Sequence, residues 1–307
     1  MRRFLISEQS MLPALRPGDE LVATDGRVVP GDVVVFEHPH RPDFWMVKRV
    51  ERVQGEVAWV TSDNHQATRA DSRTLGWVPV TTMLRRVETL DETTFSDAVD
   101  LLASEDERLQ AVIEAHGKPA FWNRPRELGT LVLLILEQQV SLASGMAAYR
   151  RLVDAIGPVT PGGLLGLDDK DMREIGFSRQ KAAYVRALAS AVDAGEVALE
   201  AVDEMDDDSA RRTLTSLRGV GAWTADAYLL SAMRRPDVWP VGDRALQVGA
   251  GEVLGVPTLT ETELEEVARP WRPLRAVAAR LIWHNYLARR GRSEPALPAS
   301  HEAGEEA

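Results

Sequence analysis

The sequence predicts a multidomain chain, with an N-terminal all-β domain followed by a C-terminal all-α domain. Its 307 residues are enough for two independent cores. In the first third, apolar residues alternate with a period of two, and glycine, proline and aspartate separate the runs; later the apolar spacing becomes helical. We therefore expect a β-rich domain over residues 1–90, an all-α domain over 93–291, and a disordered tail over 292–307, which is rich in alanine, glutamate and proline.

The β domain is predicted from four runs, which are "DELVA", "GDVVVFEHP", "FWMVKRVERV" and "EVAWVTS". Each run is short and ends at turn-forming residues, as strands of a small sheet do. The acidic segment "RRVETLDETTFSDA" is interpreted as the linker that joins the two domains.

The β domain carries five blocks in a fixed order, which are Ser10-Met11-Leu12-Pro13, Gly18-Asp19, "GDVVVF", Lys48 in "VKRV", and "DSRTLGWVPV". Over about residues 4–88 these blocks resemble the Ser-Lys peptidase clan of type I signal peptidases and LexA-like autoproteases. The short layout is most similar to the group of nickel-type superoxide dismutase maturation proteases.

The resemblance implies that Ser10 is a nucleophile and Lys48 its general base, which requires burial among apolar strands to lower the lysine pKa. Asp71, Ser72 and Arg73 match the supporting motif of the clan. The segment "SDNHQATRADSR" departs from the usual Gly-Asp-Asn start of that motif. The alternative is a surface lysine on a half-buried strand and a serine in a turn.

In the helical part, "LRGVGAWTADAYLL" places two glycines before an apolar run. Gly219 and Gly221 can take positive φ and turn their N–H groups outward, and such a turn can bind a phosphate. The spacing predicts an amphipathic helix that starts near Ala222, with Thr224 in its first turn as a further contact to the phosphate. The alternative is a plain turn between two helices.

Further blocks accompany this hairpin, which are "ILEQQVSLASGMAAYRRL", "GFSRQKAAYVRALA", "VWPVGDRALQVG" and "WRPLRAVAARLIWH". Over about residues 93–291 the chain resembles the DNA-3-methyladenine glycosylase II family of the helix-hairpin-helix, Gly/Pro-Asp superfamily. The resemblance implies that Asp243 is the catalytic carboxylate, which stabilises positive charge on the sugar as a base leaves. The alternative is that Asp243 only caps a helix.

The family resemblance also assigns other residues. Trp223 stands where strand-cleaving relatives carry a lysine nucleophile, so it implies a monofunctional glycosylase that forms no Schiff base. Trp223 and Trp283 match positions that line the base pocket, although buried tryptophans also serve simply as core. Gln139 matches the residue that intercalates at the lesion, where relatives often have an aliphatic side chain. Helix capping or core hydrogen bonding is the alternative for Gln138 and Gln139.

The resemblance implies a monovalent cation on the backbone carbonyls of Thr215, Leu217 and Val220. Nothing else in the sequence indicates a metal, because the six histidines show no ligand spacing, and no cofactor is expected. The chain has no cysteine, which excludes an iron-sulfur cluster, disulfides and thiolate zinc sites.

The formal net charge of −11 argues against DNA binding at first. Much of the acidic excess, however, lies outside the motifs, in "DAGEVALEAVDEMDDD" and in the tail, and net charge does not fix the local field. Basic residues lie near the family blocks and could neutralise phosphates; they are Arg179, Lys181, Arg211, Arg212, Arg218, Arg272 and Arg275.

The sequence thus predicts a DNA glycosylase that excises alkylated bases of the 3-methyladenine type from duplex DNA in base excision repair, with an appended Ser-Lys peptidase-like domain. The alternative is a cytoplasmic endopeptidase that processes a precursor protein, with a helical domain that only binds DNA. No apolar segment approaches the ~20 residues of a membrane span, so we expect a cytoplasmic protein with no membrane partner.

Overall fold

A computed structural model of the chain describes residues 1–68 and 70–293. The contacts divide the chain into two compact units: residues 1–102 with 271–274, here called the sheet unit, and residues 103–270 with those from 275 onward, here called the helical unit. The predicted domain boundaries at 90 and 93 stay a prediction. The predicted tail lies, from residue 294 onward, outside the described residues. Among the described helices, none is long and apolar enough to cross a membrane.

The sheet unit contains one seven-stranded sheet in which all neighbouring strands are antiparallel. This confirms the N-terminal sheet predicted from the alternating runs. The strands lie in the order β1-β2-β7-β3-β4-β5-β6. Their bounds are β1 Arg2–Leu5, β2 Glu20–Thr24, β3 Val33–Glu37, β4 Trp45–Gln54, β5 Val57–Thr61, β6 Val78–Pro79 and β7 Met83–Arg86, and a short helix α1 spans Ser72–Leu75.

Strand β3 is buried on both faces of the sheet. Val34 and Phe36 pack in one apolar cluster, whereas Val33 and Val35 pack in the cluster on the other face. All four side chains are at most 2% exposed. A strand covered on both faces needs a continuous apolar run, which is why "VVVF" does not alternate with polar residues.

The segment interpreted as a linker is in large part regular structure. Its two arginines end strand β7, which pairs with β2 and β3 near the middle of the sheet. Helix α2, Glu92–Glu105, begins only six residues later. The prediction was wrong because arginines usually indicate exposed chain, yet in β7 Arg85 and Arg86 are half-buried and can cover apolar surface with their stems.

The remaining helices form the helical unit. Their bounds are α3 Glu107–His116, α4 Leu128–Glu137, α5 Leu142–Ile156, α6 Pro161–Leu165, α7 Asp169–Ile175, α8 Arg179–Asp193, α9 Asp207–Thr215, α10 Ala222–Ser231, α11 Arg244–Leu254, α12 Glu261–Val267 and α13 Arg275–Ala288.

Two of these helices lie at the centre of the helical unit. All ten residues of α4 are buried, and α10 is buried at every position from Thr224 to Ser231. Helix α10 starts at Ala222, as the sequence predicts, but the amphipathic character predicted for it is wrong. It packs against both α4 and α9, so its small and apolar residues are covered on all sides.

The hairpin between α9 and α10 uses its two glycines differently. Gly219 has a φ of +93°, and a Cβ built there would lie 2.4 Å from the Cβ of Tyr184 on α8. Gly221 has a φ of −86° and is the N-cap of α10, and a Cβ there would meet no described atom within 4 Å. Only Gly219 therefore takes the positive φ that the sequence predicts for both residues.

We predict that Gly219→Ala destabilises the protein strongly, whereas Gly221→Ala does not. An alanine at 219 meets both the positive φ and the Tyr184 contact, which should lower the free energy of unfolding by about 2–4 kcal/mol. At position 221 the loss should stay below about 1 kcal/mol, because the space is open and the backbone is ordinary. Urea unfolding of the two variants measures the difference. Equal losses in the free energy of unfolding would contradict the close packing of Gly219 and the open position of Gly221.

Candidate functional site

The tight turn before α11 fixes Asp243. The backbone N–H of Asp243 donates to the carbonyl of Pro240 at 3.0 Å, and Asp243 is the N-cap of α11. Its Oδ1 accepts the backbone N–H of Leu246 at 2.6 Å. The carboxylate therefore lies at a helix N-terminus, where the helix dipole favours negative charge. The helix cap considered from the sequence is present, and it leaves the rest of the carboxylate open to other partners.

Two indoles bind this carboxylate from other helices. Trp223 on α10 donates its Nε1–H to Asp243 Oδ2 at 2.7 Å, and Trp283 on α13 donates to Oδ1 at 3.0 Å. The structure thus brings together the three residues predicted as catalytic and pocket-lining, from positions 20 and 40 residues apart. Both carboxylate oxygens are oriented by these donors.

The same three side chains line a cavity of about 640 Å³. This volume lies in the range of small-ligand pockets and is ample for a purine. Leu134, Ala227 and Tyr286 add further apolar surface. A concave, mostly apolar site with one fixed carboxylate can hold a planar ring and place an anion beside it.

Trp122, Arg124 and Glu137 also line this cavity, and none of them was predicted as a site residue from the sequence. Trp122 stacks on Trp283, with ring centroids 5.2 Å apart and an interplanar angle of 26°. Arg124 forms an ion pair with Glu137 at 3.1 Å, and both side chains are largely buried. Trp122 and Arg124 belong to "AFWNRP", where the aromatic and basic residues could have been noticed. Their partners Trp283 and Glu137 belong to separate helices, however, so no local pattern links them to the site.

A second concave region, a groove of about 970 Å³, runs along the hairpin. It is lined by residues 215–224 and 137–140, and it also reaches Asp243. Gln139 lies there with its side chain exposed and a φ of +58°, in the turn after α4 rather than within a helix. The left-handed backbone holds Gln139 outward at the edge of the groove.

The neighbouring Gln138 fastens this turn to the hairpin. Its Nε2 donates to the carbonyl of Gly219 at 3.0 Å and to Oγ1 of Thr224 at 2.9 Å. Gln138 therefore makes internal hydrogen bonds, as the alternative interpretation of this residue expects. Thr224, predicted to contact DNA, stands in the first turn of α10 and is 1% exposed. Its hydroxyl accepts the hydrogen bond from Gln138 inside the fold.

The three carbonyls assigned to a cation belong to the same hairpin. Thr215, Leu217 and Val220 all line the groove, and the Leu217 carbonyl also accepts the N–H of Val220 at 3.1 Å. Carbonyl oxygens suit a monovalent cation. The Leu217 carbonyl keeps a second lone pair after accepting the Val220 N–H, so it could still bind one. The cation stays a prediction. Among residues 1–68 and 70–293, no group of three or more His, Asp or Glu side chains could hold a metal.

Several of the basic residues predicted to neutralise phosphates are engaged within the chain. Arg211 pairs with the buried Asp226 at 2.6 Å, and Arg275 pairs with Asp237 at 2.8 Å. Lys181 donates to the carbonyl of Leu136, at the end of α4. Arg218 is exposed and lines the groove, where it can meet a phosphate.

In the sheet unit, Ser10 and Lys48 lie together. Lys48 Nζ is 3.2 Å from Ser10 Oγ, within hydrogen-bond reach, and the two residues are 3% and 8% exposed. Lys48 stands opposite Val34 in the β3–β4 ladder. Burial lowers the pKa of the Lys48 ammonium, while the carboxylates of Asp71, Glu8 and Asp63 oppose that shift. The pair borders a cavity of about 500 Å³.

The motif around Asp71 supports the same region. The Asp71 carboxylate accepts the backbone N–H of Ser62 and two N–H groups from the Arg73 side chain. Burial opposes ionisation of Asp71, but these hydrogen bonds hold its pKa below the usual value. Ser72 Oγ accepts the N–H of Val60. These bonds hold Asp71 and Ser72 against strand β5 and the residue that follows it.

Comparison with known proteins gives one family match and several similar proteins. Residues 132–273 match the family described as HhH-GPD superfamily base excision DNA repair protein, where HhH-GPD stands for helix-hairpin-helix and Gly/Pro-Asp. Alkylbase DNA glycosidase-like protein mag2 of Schizosaccharomyces pombe is 27% identical over 126 residues, which are 40% of this chain and 59% of that protein. DNA-3-methyladenine glycosylase of Bacillus subtilis is 24% identical over 163 residues, 48% of this chain and 54% of that protein.

A solved structure agrees with these sequence matches. The crystal structure of DNA-3-methyladenine glycosidase from Bacillus halodurans is 27% identical with a TM-score of 0.54, and the match covers 64% of this chain and 92% of that one. The chain spans only 59% and 54% of the lengths of the two curated relatives named above. The helical part of the chain has the HhH-GPD glycosylase fold, and its residues 132–273 match the superfamily of base-excision DNA repair proteins.

Proposed function

We propose that the helical unit is a monofunctional DNA glycosylase that removes alkylated bases of the 3-methyladenine type from duplex DNA in base excision repair, as the DNA-3-methyladenine glycosylase II family does. The observation that carries this proposal is the Asp243 carboxylate, held by two indoles at the edge of a cavity large enough for a purine. The names of the relatives support the same substrate class.

In the proposed reaction, the N-glycosidic bond breaks and its electron pair leaves with the base. The sugar gains positive charge, which the Asp243 carboxylate stabilises in a cavity of low polarity. Water then bonds to the sugar carbon and its proton is released, so the products are a free base and an abasic site. Trp223 has no amine to form a Schiff base, so the reaction ends there.

The groove would hold the duplex while the damaged base occupies the cavity. Gln139, exposed in its left-handed turn, would fill the space that the base leaves in the stack. Gly219 and Gly221 would bring the start of α10 close to a phosphate. Trp223 and Trp283 would contact the base, at about 0.5–2 kcal/mol for each contact with a cationic ring.

We predict that Asp243→Asn lowers release of 3-methyladenine from methylated duplex DNA by at least about 100-fold. The amide can still cap α11, but it removes the negative charge and cannot accept hydrogen bonds on both sides. Chromatography of the released base measures the effect, and strand breaks before and after alkali show whether the enzyme cleaves the backbone.

Asp206→Asn is the matched control, because Asp206 also caps a helix through its carboxylate but lies outside the cavity. Its base release should stay within about twofold of the parent protein. Unchanged release in Asp243→Asn would remove the proposed role of the carboxylate. Nicks before alkali would contradict a monofunctional reaction.

We propose a second function for the sheet unit, that of a Ser-Lys endopeptidase acting on a peptide or precursor protein. If the helical unit did not release bases, it would be a DNA-binding module beside this endopeptidase. The observation in favour is the buried Ser10–Lys48 pair. Neutral Lys48 would take the proton of Ser10 as Oγ attacks a peptide carbonyl. The proton would pass to the leaving amine, and water would then release the acyl group.

We predict that Ser10→Ala and Lys48→Met each abolish peptide cleavage by this chain. Ser10→Ala removes the nucleophile and Lys48→Met removes the base while keeping an apolar stem. Cleavage of a peptide library, with products identified by mass spectrometry, measures the loss. Lys170→Met is the control, since Lys170 is exposed and remote in sequence from the dyad. Equal cleavage by Ser10→Ala would assign the activity to another source.

The pH dependence of this cleavage provides a further prediction. Burial lowers the pKa of Lys48 below the ordinary lysine value of 10.5, and the base must be neutral to act. Activity should therefore rise with pH and reach its plateau with a midpoint below 10.5. The midpoint of kcat/KM against pH reports the free enzyme; a midpoint at or above 10.5 would contradict a desolvated lysine base.

A further inference from the structure

Trp122 extends the aromatic surface that begins at the Asp243 carboxylate. It lies in the loop before α4, and its ring lines the cavity together with Trp223 and Trp283. The stack on Trp283 has its ring centroids 5.2 Å apart. Since Trp283 is itself bound to Asp243, Trp122 occupies a fixed place in the wall that a base would face.

Arg280 fixes Trp122 from α13. Its guanidinium carbon lies 3.5 Å from the ring centroid of Trp122, which is direct contact with the ring face. Arg280 is 3% exposed, and its Nη2 donates to the carbonyl of Ala120 at 2.8 Å, in the same loop as Trp122. The side chain is therefore held both by the ring and by the backbone beside it.

This contact affects how the wall attracts a ligand. The face of an indole attracts a cation through its quadrupole, and burial strengthens this attraction. At Trp122 the guanidinium of Arg280 already uses this attraction at 3.5 Å, and that of Arg124, which is paired with Glu137, lies farther away at 5.6 Å. A second cation stacked on the same group of rings meets a like charge in a medium of low dielectric, whereas a neutral ring stacks by dispersion without that repulsion.

We propose that Trp122 is a further base-stacking residue of the cavity. We also propose that Arg280, acting through Trp122, lowers the preference of the cavity for cationic over neutral damaged bases. Arg280 is thus a positioning and specificity-determining residue rather than a catalytic one. This inference rests on the proposed glycosylase function. It predicts that removing the charge at 280 changes the ranking of substrates, and not only the overall rate.

The test compares two lesions in one duplex sequence: 7-methylguanine, which is cationic in DNA, and hypoxanthine, which is neutral. The readout is the single-turnover release rate of 7-methylguanine divided by that of hypoxanthine. In Arg280→Met and Arg280→Gln the ratio should rise about fivefold, because a neighbouring charge is removed. In Arg280→Lys, which keeps the charge, it should stay within about twofold of the parent protein.

Arg280→Gln can keep the hydrogen bond to Ala120, so it serves if Arg280→Met does not fold, with near-ultraviolet circular dichroism as the check. Trp122→Leu keeps an apolar side chain but removes the ring, and should lower release of both bases about tenfold. Trp122→Phe should restore most of that loss. An unchanged ratio in the folded, charge-removing variants, or full release by Trp122→Leu, would overturn the proposal.

The two proposals fail in different ways. If the parent protein releases neither of these bases nor 3-methyladenine, the glycosylase function fails. Binding of 7-methylguanosine in its cationic form and of inosine, followed by quenching of tryptophan fluorescence, then decides the role of the pocket. A fivefold shift of their affinity ratio in Arg280→Gln supports the role of Arg280 at Trp122, and an unshifted ratio overturns it.

Discussion

The Asp243 carboxylate is the point at which three helices of the helical unit meet. It accepts an N–H from Leu246 in α11, from Trp223 in α10 and from Trp283 in α13. Hydrogen bonds to a charged acceptor contribute about 1.5–3 kcal/mol each, and here they also set the distance between the helices. Because both indoles point at one carboxylate, their ring faces become the walls of the cavity. The shape of the site therefore depends on the residue that would carry its chemistry.

The end of α4 links this cavity to the groove. Glu137 turns towards the cavity, where it pairs with Arg124, and Gln139 projects at the edge of the groove. Between them, Gln138 binds the hairpin, and Lys181 binds the carbonyl of Leu136 just before. A helix end buried without such partners would leave unsatisfied carbonyls. Lys181 satisfies one carbonyl at this helix end, and Gln138 holds the hairpin against it, so Gln139, the hairpin and the cavity keep one fixed arrangement.

How much of this could be read from the sequence depends on whether the signal is local. The start of α10 follows from the Gly-x-Gly turn before an apolar run, and the cap of α11 from an aspartate before a helix. The complete burial of α10, by contrast, depends on α4 and α9, which no local period reveals. Trp122 was missed for the same reason, since its partners Arg280 and Trp283 lie some 160 residues away. Strand β7 was missed because arginines that bury only their stems look like exposed chain.

In the sheet unit, a lysine occupies a buried position, and this needs a physical explanation. Lys48 faces Val34 across the ladder, in a strand where an apolar side chain would be stable without any partner. Burying an ammonium costs several kcal/mol unless it is paired, and a serine hydroxyl at 3.2 Å does not supply an opposite charge. The pKa of Lys48 is lowered for the same reason, since desolvation disfavours the charged ammonium. In the proposed endopeptidase the general base must be neutral, so the same desolvation that weakens the fold would favour proton transfer from Ser10 to Lys48.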